Sequence, residues 1–312
     1  MGYKLAGYDV VAANDIDPRM AQVYEKNHHP KQFFLCSVKE LIDRDDLPDI
    51  DVLDGSPPCS VFSTAGKRDK GWQVDKMFKE GQAKQVLDDL FFDFIDLAEK
   101  MQPKVIVAEN VKGMLAGDAK WYTREVVRRL DGIGYRCQVF LLNSATMGVP
   151  QRRQRVFFLA RREDQWPADG LDMDFDELPI TLGDIHQDEL GRPIEAKGLP
   201  IWRATRPGKS FSSVTGASWF SHKKLHFNQV PLTMTAACTQ NLALPHSPHY
   251  ISEGTALRGS SFPSDFDFLD SSPGYICGMS VPPVMMARVA HQVYCQLLSG
   301  TQDKIVSGIK QE

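Results

Sequence analysis

The sequence predicts an α/β fold in which a largely parallel sheet carries helices on both faces and a smaller, irregular domain follows. Over the first 160 residues, short apolar runs alternate with segments whose apolar residues recur at helical spacing. Such alternation is typical of parallel sheets whose strands are joined by helices. After Arg162 the alternation stops and the composition changes, which marks the second domain.

The elements of the sheet follow one another along the first half of the chain. Residues 10–13 form a short apolar run that predicts a strand, and Pro18 suits the first turn of the helix after it. Residues 87–101 carry one wide apolar stripe, which predicts an amphipathic helix. Further strands are predicted at residues 52–53, 105–108, 137–142 and 156–160, with helices around 126–130 and 284–298.

Composition excludes several classes of protein. Hydrophobic residues make up 42% and charged residues 24% of the chain, which excludes a disordered or collagen-like protein. The apolar runs are shorter than the roughly 18 residues that a membrane span needs, and no secretory signal is visible. The six cysteines form no CxxC pair, so neither a metal site nor a disulfide framework is predicted. We therefore expect a reducing, cytoplasmic compartment.

The second domain changes abruptly from acidic to acid-free. From Glu163 to Glu195 there are eleven acidic residues and one basic residue, whereas residues 196–252 hold no Asp or Glu. That acid-free segment carries six Lys or Arg residues and several aromatic side chains. Because phosphates attract cations and bases stack on rings, it is a candidate nucleic-acid interface. The alternative is a loop-rich domain whose cations are merely solvated.

Cys59 is the first candidate for chemistry. It follows Pro57 and Pro58 directly after a predicted strand, where the two proline rings restrict the backbone. A thiol held rigidly at a strand end suits a nucleophile. The alternative is a structural cysteine beside a bend.

Two further motifs add a carboxylate and two guanidiniums. Glu109 and Asn110 directly follow the apolar run 105–108, and α/β enzymes hold catalytic groups at such strand ends. The alternative is that this pair caps a helix. Arg153 and Arg155 precede the next apolar run, and alternation along a strand would place both on one side. They suit an anionic or carbonyl-rich ligand, or lie solvated on a strand edge.

The order of these motifs resembles that of the cytosine-C5 DNA methyltransferase family, over residues 2–298. Pro-Cys is followed by Glu-Asn-Val, then Gln-x-Arg-x-Arg, and Gly-Met-Ser-Val-Pro-Pro precedes the last predicted helix. Residues 256–266 also look like the family's Arg-Leu-x-x-Phe-Pro-x-x-Phe block. The resemblance implies a Rossmann-like methyltransferase that moves a methyl group from S-adenosylmethionine to C5 of a flipped-out cytosine in duplex DNA, through a covalent intermediate.

The resemblance also implies a role for each matching residue. Cys59 would bond to C6, Glu109 would hold N3, Arg155 would bind O2, and Arg153 would line the same wall of the active site. The cofactor would lie against Asp15, Ile16, Val38, Pro58, Ser280 and Val281. DNA would be bound by Lys67, Arg68 and Lys70 in a mobile loop and by Arg203, Arg206, Lys209, Lys223 and Lys224 in the recognition domain.

The same resemblance predicts the organisation and partners of the protein. A catalytic and cofactor domain would span residues 1–162, a target-recognition domain 163–265, and a segment returning to the catalytic domain 266–312. We expect a monomeric bacterial or phage protein that acts at the nucleoid, with no membrane partner and with a cognate restriction endonuclease as a companion activity. The alternatives are the same chemistry on tRNA and an inactive DNA-binding relic.

Cofactor affinity is the first property to measure, because the chain begins about where the family's glycine-rich loop would end. That loop lies under the methionine part of the cofactor in the family, so we expect the 312-residue chain to bind S-adenosylmethionine weakly or not at all. Isothermal titration calorimetry checks this expectation. A dissociation constant in the low micromolar range would contradict it.

Overall fold

The computed structural model describes residues 1–57, 90–117 and 119–299. The strands in these ranges are β1 (Ala12–Asp15), β2 (Gln32–Leu35), β3 (Val52–Gly55), β4 (Val105–Val111), β5 (Tyr135–Asn143), β6 (Gln154–Arg162), β7 (Leu190–Pro193), β8 (Lys223–Lys224), β9 (Leu242–Ala243) and β10 (His249–Ile251). The α-helices are α1 (Gly2–Leu5), α2 (Pro18–His28), α3 (Val38–Ile42), α4 (Leu90–Met101), α5 (Ala119–Gly132), α6 (Leu182–Ile185), α7 (Leu199–Ala204), α8 (Ser212–Thr215), α9 (Cys238–Asn241), α10 (Glu253–Gly259), α11 (Pro273–Met279) and α12 (Pro283–Val293).

The predicted α/β fold is confirmed, although β2 was not predicted and two features of the strands differ from the prediction. The strand predicted at residues 105–108 continues to Val111, because β6 pairs with it as far as Val111 opposite Arg155. The sheet is also less parallel than predicted, since β3 pairs parallel with β4 whereas β6 runs antiparallel to β4. Because β4 continues to Val111, it contains Glu109 and Asn110, which were predicted to follow the strand.

One compact unit contains the described parts of residues 36–141, 155–173 and 289–312. Its sheet has the strand order β3-β4-β6-β5. Aromatic and aliphatic side chains of α4 and α5 pack on one face of that sheet, with Phe91 against Phe158 and with Val126 and Leu130 fully buried. Burial of each such side chain contributes about 1.5–3 kcal/mol to the stability of this core, which includes Ile106 and Ala108 of β4.

The other unit contains residues 1–35, 142–154 and 174–288. It holds the parallel pair β1-β2 and a second sheet of order β7-β10-β9-β8. Its buried side chains form separate clusters, one of which joins Phe211 and Tyr250 to the rings of Trp202 and Trp219. The domain boundaries expected from the sequence remain a prediction. Among the described residues, no helix has the length and apolarity to span a membrane.

Pro18 begins α2 as predicted, and the aspartate before it explains where the helix starts. Asp17 is the N-cap, and its Oδ1 accepts a hydrogen bond from the Arg19 amide at 2.8 Å. Such caps stabilise a helix by about 0.5–2 kcal/mol. At the other end His29 terminates α2 with a positive φ of 44°.

His28, on the buried side of α2, gives the fold a pH dependence. It is 8% exposed and packs against the rings of Tyr24 and Phe266, and burial lowers its pKa from 6.5 to about 4. The unfolded chain therefore takes up the proton first, so this contribution to stability is present above about pH 6.5 and is lost as the pH falls towards 4.

We expect His28→Phe to reduce the loss of unfolding free energy between pH 7 and pH 5, because Phe cannot take up a proton in the unfolded state. Urea unfolding at the two pH values measures the effect. His29→Asn is the matched control, since His29 is exposed and Asn tolerates a positive φ. An equal loss in the native chain and in His28→Phe would contradict the assignment.

Candidate active site

A carboxylate and a guanidinium meet where β4 and β6 lie side by side. Arg155 Nε lies 2.8 Å from Glu109 Oε1, and the two side chains are 16% and 10% exposed. The register pairs Val111 directly with Arg155, so Glu109, two residues earlier, is its diagonal neighbour on the same face. The strand register thus brings the two predicted catalytic side chains together.

Burial makes this pair electrostatically significant. Desolvation lowers the pKa of Arg155, and the attraction and hydrogen bonding of the neighbouring Glu109 oppose that shift. A buried charge is tolerated only when it is paired, so each group compensates the other. Together they present hydrogen-bond acceptors and donors side by side, an arrangement that suits one edge of a planar polar ligand.

Asn110 ties the same strand to the end of β3. Its Nδ2 donates to the Pro57 carbonyl at 3.0 Å, and its Oδ1 accepts from the Val111 amide at 2.8 Å. Asn110 therefore anchors a loop rather than capping a helix. The predicted site did not include it, although its place beside Glu109 in the Glu-Asn-Val motif was a usable signal.

Gly55, the last residue of β3, lies close to the ring of Phe94 in α4. A Cβ atom built on Gly55 would lie 2.4 Å from Phe94 Cε2, so only glycine fits there. This close approach and the Asn110 bond fix the backbone at Pro57, two residues before Cys59. Cys59 and Pro58 themselves lie outside the described residues, as do Lys67, Arg68 and Lys70.

Arg153 has different partners from Arg155. It precedes β6, is 1% exposed, and donates from Nη1 to the Met234 carbonyl at 3.1 Å and from Nη2 to the Gly278 carbonyl at 2.9 Å. These contacts engage the Arg153 guanidinium with backbone carbonyls, and its place in the wall of the active site remains a prediction. Arg153 holds together two segments of its own unit that are distant in sequence.

Gln151 reinforces that junction, and sequence reasoning missed it. Its Nε2 donates to the Gly259 carbonyl at 2.9 Å, and its Oε1 accepts from the Met234 amide at 3.0 Å. Gly278 also packs so closely that an added Cβ would lie 2.1 Å from the Ala236 amide nitrogen. The polar motif before β6 therefore builds a buried backbone junction.

The predicted cofactor residue Asp15 lies at the carboxyl end of β1. Its Oδ1 accepts from the Asp17 amide at 2.8 Å, and burial raises its pKa although that bond opposes the shift. Ile16 beside it is half-buried. A carboxylate next to an apolar side chain at a strand end can accept hydroxyl hydrogen bonds beside a flat apolar group.

The remaining described cofactor candidates lie at helix ends. Val38 is the first residue of α3 and is half-buried. Ser280 ends α11, where its Oγ donates to the Ile276 carbonyl at 2.8 Å, and Val281 after it is half-buried. Among the described residues, no group of acidic, cysteine and histidine side chains could hold a metal ion.

Lys224 corrects the predicted set of DNA-binding cations. It is 6% exposed, its Nζ donates to the Trp202 carbonyl at 3.0 Å and lies 3.9 Å from the centre of the Trp202 ring, and burial lowers its pKa. Its ammonium group therefore stabilises the domain interior instead of facing solvent. Of the other cations in that set that lie among the described residues, Lys223 is half-buried and Arg203, Arg206 and Lys209 are exposed.

Comparison with known proteins gives a family match over residues 1–230, described as C-5 cytosine-specific DNA methylase. The chain is 32% identical over 164 residues to the type II methyltransferase M.FnuDI of Fusobacterium nucleatum, a match covering 53% of this chain and 44% of that protein. It is 30% identical over 194 residues to M.NgoPII of Neisseria gonorrhoeae, covering 59% and 52% respectively. The chain spans about half the length of the curated relatives it matches.

Solved structures share the fold. A protein described as a DNA modification methyltransferase from an E. coli prophage superposes with a TM-score of 0.71 at 18% identity, over 95% of both chains. DNMT2 of Spodoptera frugiperda gives 0.66 at 18% identity, over 94% of this chain and 95% of that one. At this identity the likeness shows the fold alone.

Arg153→Met tests the buried junction. We expect it to lower the unfolding free energy by about 2–4 kcal/mol, because two buried carbonyls lose charged donors. Arg152→Met makes the same chemical change at the preceding, exposed position and should cost less than about 0.5 kcal/mol. Urea unfolding measures both variants. Equal effects of the two substitutions would contradict the role of Arg153.

Proposed function

The chain belongs to the C-5 cytosine-specific DNA methylase family, and on that premise we propose that it transfers a methyl group from S-adenosylmethionine to C5 of cytosine in double-stranded DNA. The observation that supports this most is the buried pair of Glu109 and Arg155 beside the backbone that leads to Cys59. The relatives of bacterial and phage type are named as methyltransferases, in keeping with the proposal.

Cys59 is the proposed nucleophile. Its thiolate sulfur bonds to C6 of the cytosine, and the electron pair of the C5–C6 double bond moves into the ring, which makes C5 nucleophilic. After C5 is methylated, with S-adenosylhomocysteine as the other product, solvent water takes the C5 proton, the C6–S bond breaks, and the ring becomes aromatic again as the thiolate leaves. The bond from Asn110 to the Pro57 carbonyl supports this role, because it fixes the chain two residues before the sulfur.

Glu109 and Arg155 would stabilise the charge that this addition creates. The Glu109 carboxyl shares a proton with N3, and the Arg155 guanidinium donates to O2. Both groups are held before the base arrives, so little reorganisation accompanies the reaction. Arg153 is a positioning residue in this account, because its described contacts are with backbone carbonyls.

The described residues fit the proposed cofactor in part. S-adenosylmethionine supplies the methyl group when bound. The partly buried Asp15 carboxylate would accept hydrogen bonds from ribose hydroxyls, and Ile16 and Val38 would contact adenine. Ser280 and Val281 would lie at the methionine end, and Pro58 would complete the site.

Duplex DNA is the proposed substrate. A cytosine must leave the stack to reach a buried site, at a cost of a few kcal/mol. The exposed Arg203, Arg206 and Lys209, with Lys223 and the lysines and arginine of the loop after Cys59, would bind phosphates. A monomer at the bacterial nucleoid, with a restriction endonuclease for the same site as its companion activity, completes the proposal.

Covalent trapping tests the proposal. A duplex of mixed sequence with 5-fluorocytosine for cytosine should give a denaturant-resistant adduct with the native chain at millimolar S-adenosylmethionine, because fluorine cannot leave as the C5 proton does. Cys59→Ala should give none. Cys295→Ala, which removes another free cysteine, should behave like the native chain. No native adduct, or an undiminished adduct with Cys59→Ala, would overturn the proposal.

A further inference from the structure

Residues 208–224 form a hairpin that ends in an exposed aromatic side chain. The Lys224 amide donates to the Lys209 carbonyl at 2.9 Å, and the Phe211 amide donates to the His222 carbonyl at 2.9 Å. Ser210 and Lys223 are paired antiparallel between these bonds. Residues 212–221 connect the two paired segments and form the hairpin tip.

The base of the hairpin tip is held in place from several directions. Ser210 Oγ lies 3.1 Å from the carbonyls of both Phe220 and His222, and Thr215 Oγ1 donates to the Ser218 carbonyl at 2.6 Å. The Trp219 ring packs 4.6 Å from the His222 ring. These contacts give the tip a defined backbone.

The backbone at Trp219 is strained, and the aromatic residue that follows it is exposed. Trp219 has a φ of +60°, which is rare for a bulky side chain. Its ring belongs to the cluster around Phe211, whereas Phe220 is 73% exposed and Val214 on the same tip is 47% exposed. Strained residues of this kind are found where function needs a particular conformation.

The charge around the hairpin favours duplex DNA as the partner. Residues 196–252 contain no acidic side chain, and Lys209 and Lys223 stand on the two paired segments below the tip. An apolar side chain that projects from a cationic surface is the arrangement by which proteins insert wedges between base steps. Phosphate contacts would account for the lysines but not for the exposed ring of Phe220.

We propose that Phe220 is a wedge that inserts between base pairs of duplex DNA while Lys209 and Lys223 contact the phosphates on either side. The inference rests on the proposed DNA substrate and adds a residue that unstacks the duplex. Insertion would remove the exposed ring from water and would replace the lost base stacking with ring stacking.

Fluorescence anisotropy with a labelled mixed-sequence duplex tests the wedge in the full chain. We expect Phe220→Ala to weaken binding by about 5- to 100-fold without changing the salt dependence, because stacking releases no counterions. Lys209→Gln should instead reduce the slope of log affinity against log salt by about 0.9. Leu178→Ala, which removes another exposed apolar side chain (84% exposed), should bind like the native chain.

Phe220→Trp keeps a ring at the tip and should retain affinity. If the native chain binds the duplex and Phe220→Ala binds it equally well, the wedge is wrong and the proposed function stands. Loss of binding in Phe220→Trp leads to the same conclusion. Failure of the native chain to bind the duplex would overturn both. Thermal unfolding of each variant should match that of the native chain, because the side chain is mostly exposed.

Discussion

A buried carboxylate facing a partly buried guanidinium across β4 and β6 is the interaction on which the proposed site depends. Each charge compensates the other in a position where burial makes an unbalanced charge costly. The strand register fixes the relative positions of Glu109 and Arg155 on one face of the sheet. The apolar core beneath, in which Phe158 and Ile106 are almost fully buried, keeps that register in place.

Two other buried polar side chains hold backbone carbonyls, and each lies within two residues of a side chain with a proposed role in the reaction. Asn110 stands next to Glu109 and holds the Pro57 carbonyl. Arg153 stands two residues before Arg155 and holds the Gly278 carbonyl, just before Ser280. In both motifs, a residue with a proposed role in the reaction stands near a residue that holds a backbone carbonyl. This combination explains why the motifs contain several polar residues in succession.

Sequence reasoning predicted the α/β fold, the start of α2 at Pro18 and the stripe of α4, because these depend on local periodicity and caps. It did not predict that β4 continues through Glu109, since pairing with β6 overrides the polar composition. Nor did it predict the inward Lys224, whose partner Trp202 becomes a neighbour only in the folded domain. Alternation along a strand predicts on which face of the sheet a side chain lies. Its contact partners come from segments that are distant in sequence, so alternation does not predict them.

The structure of the chain trapped on a 5-fluorocytosine duplex tests the central claim most directly. We expect the base to be bonded to Cys59 through C6. The Glu109 carboxyl should then lie about 3 Å from N3 of the ring, and the Arg155 guanidinium about 3 Å from O2. A trapped base whose N3 and O2 contact other side chains, with Glu109 and Arg155 still paired with each other, would contradict this claim.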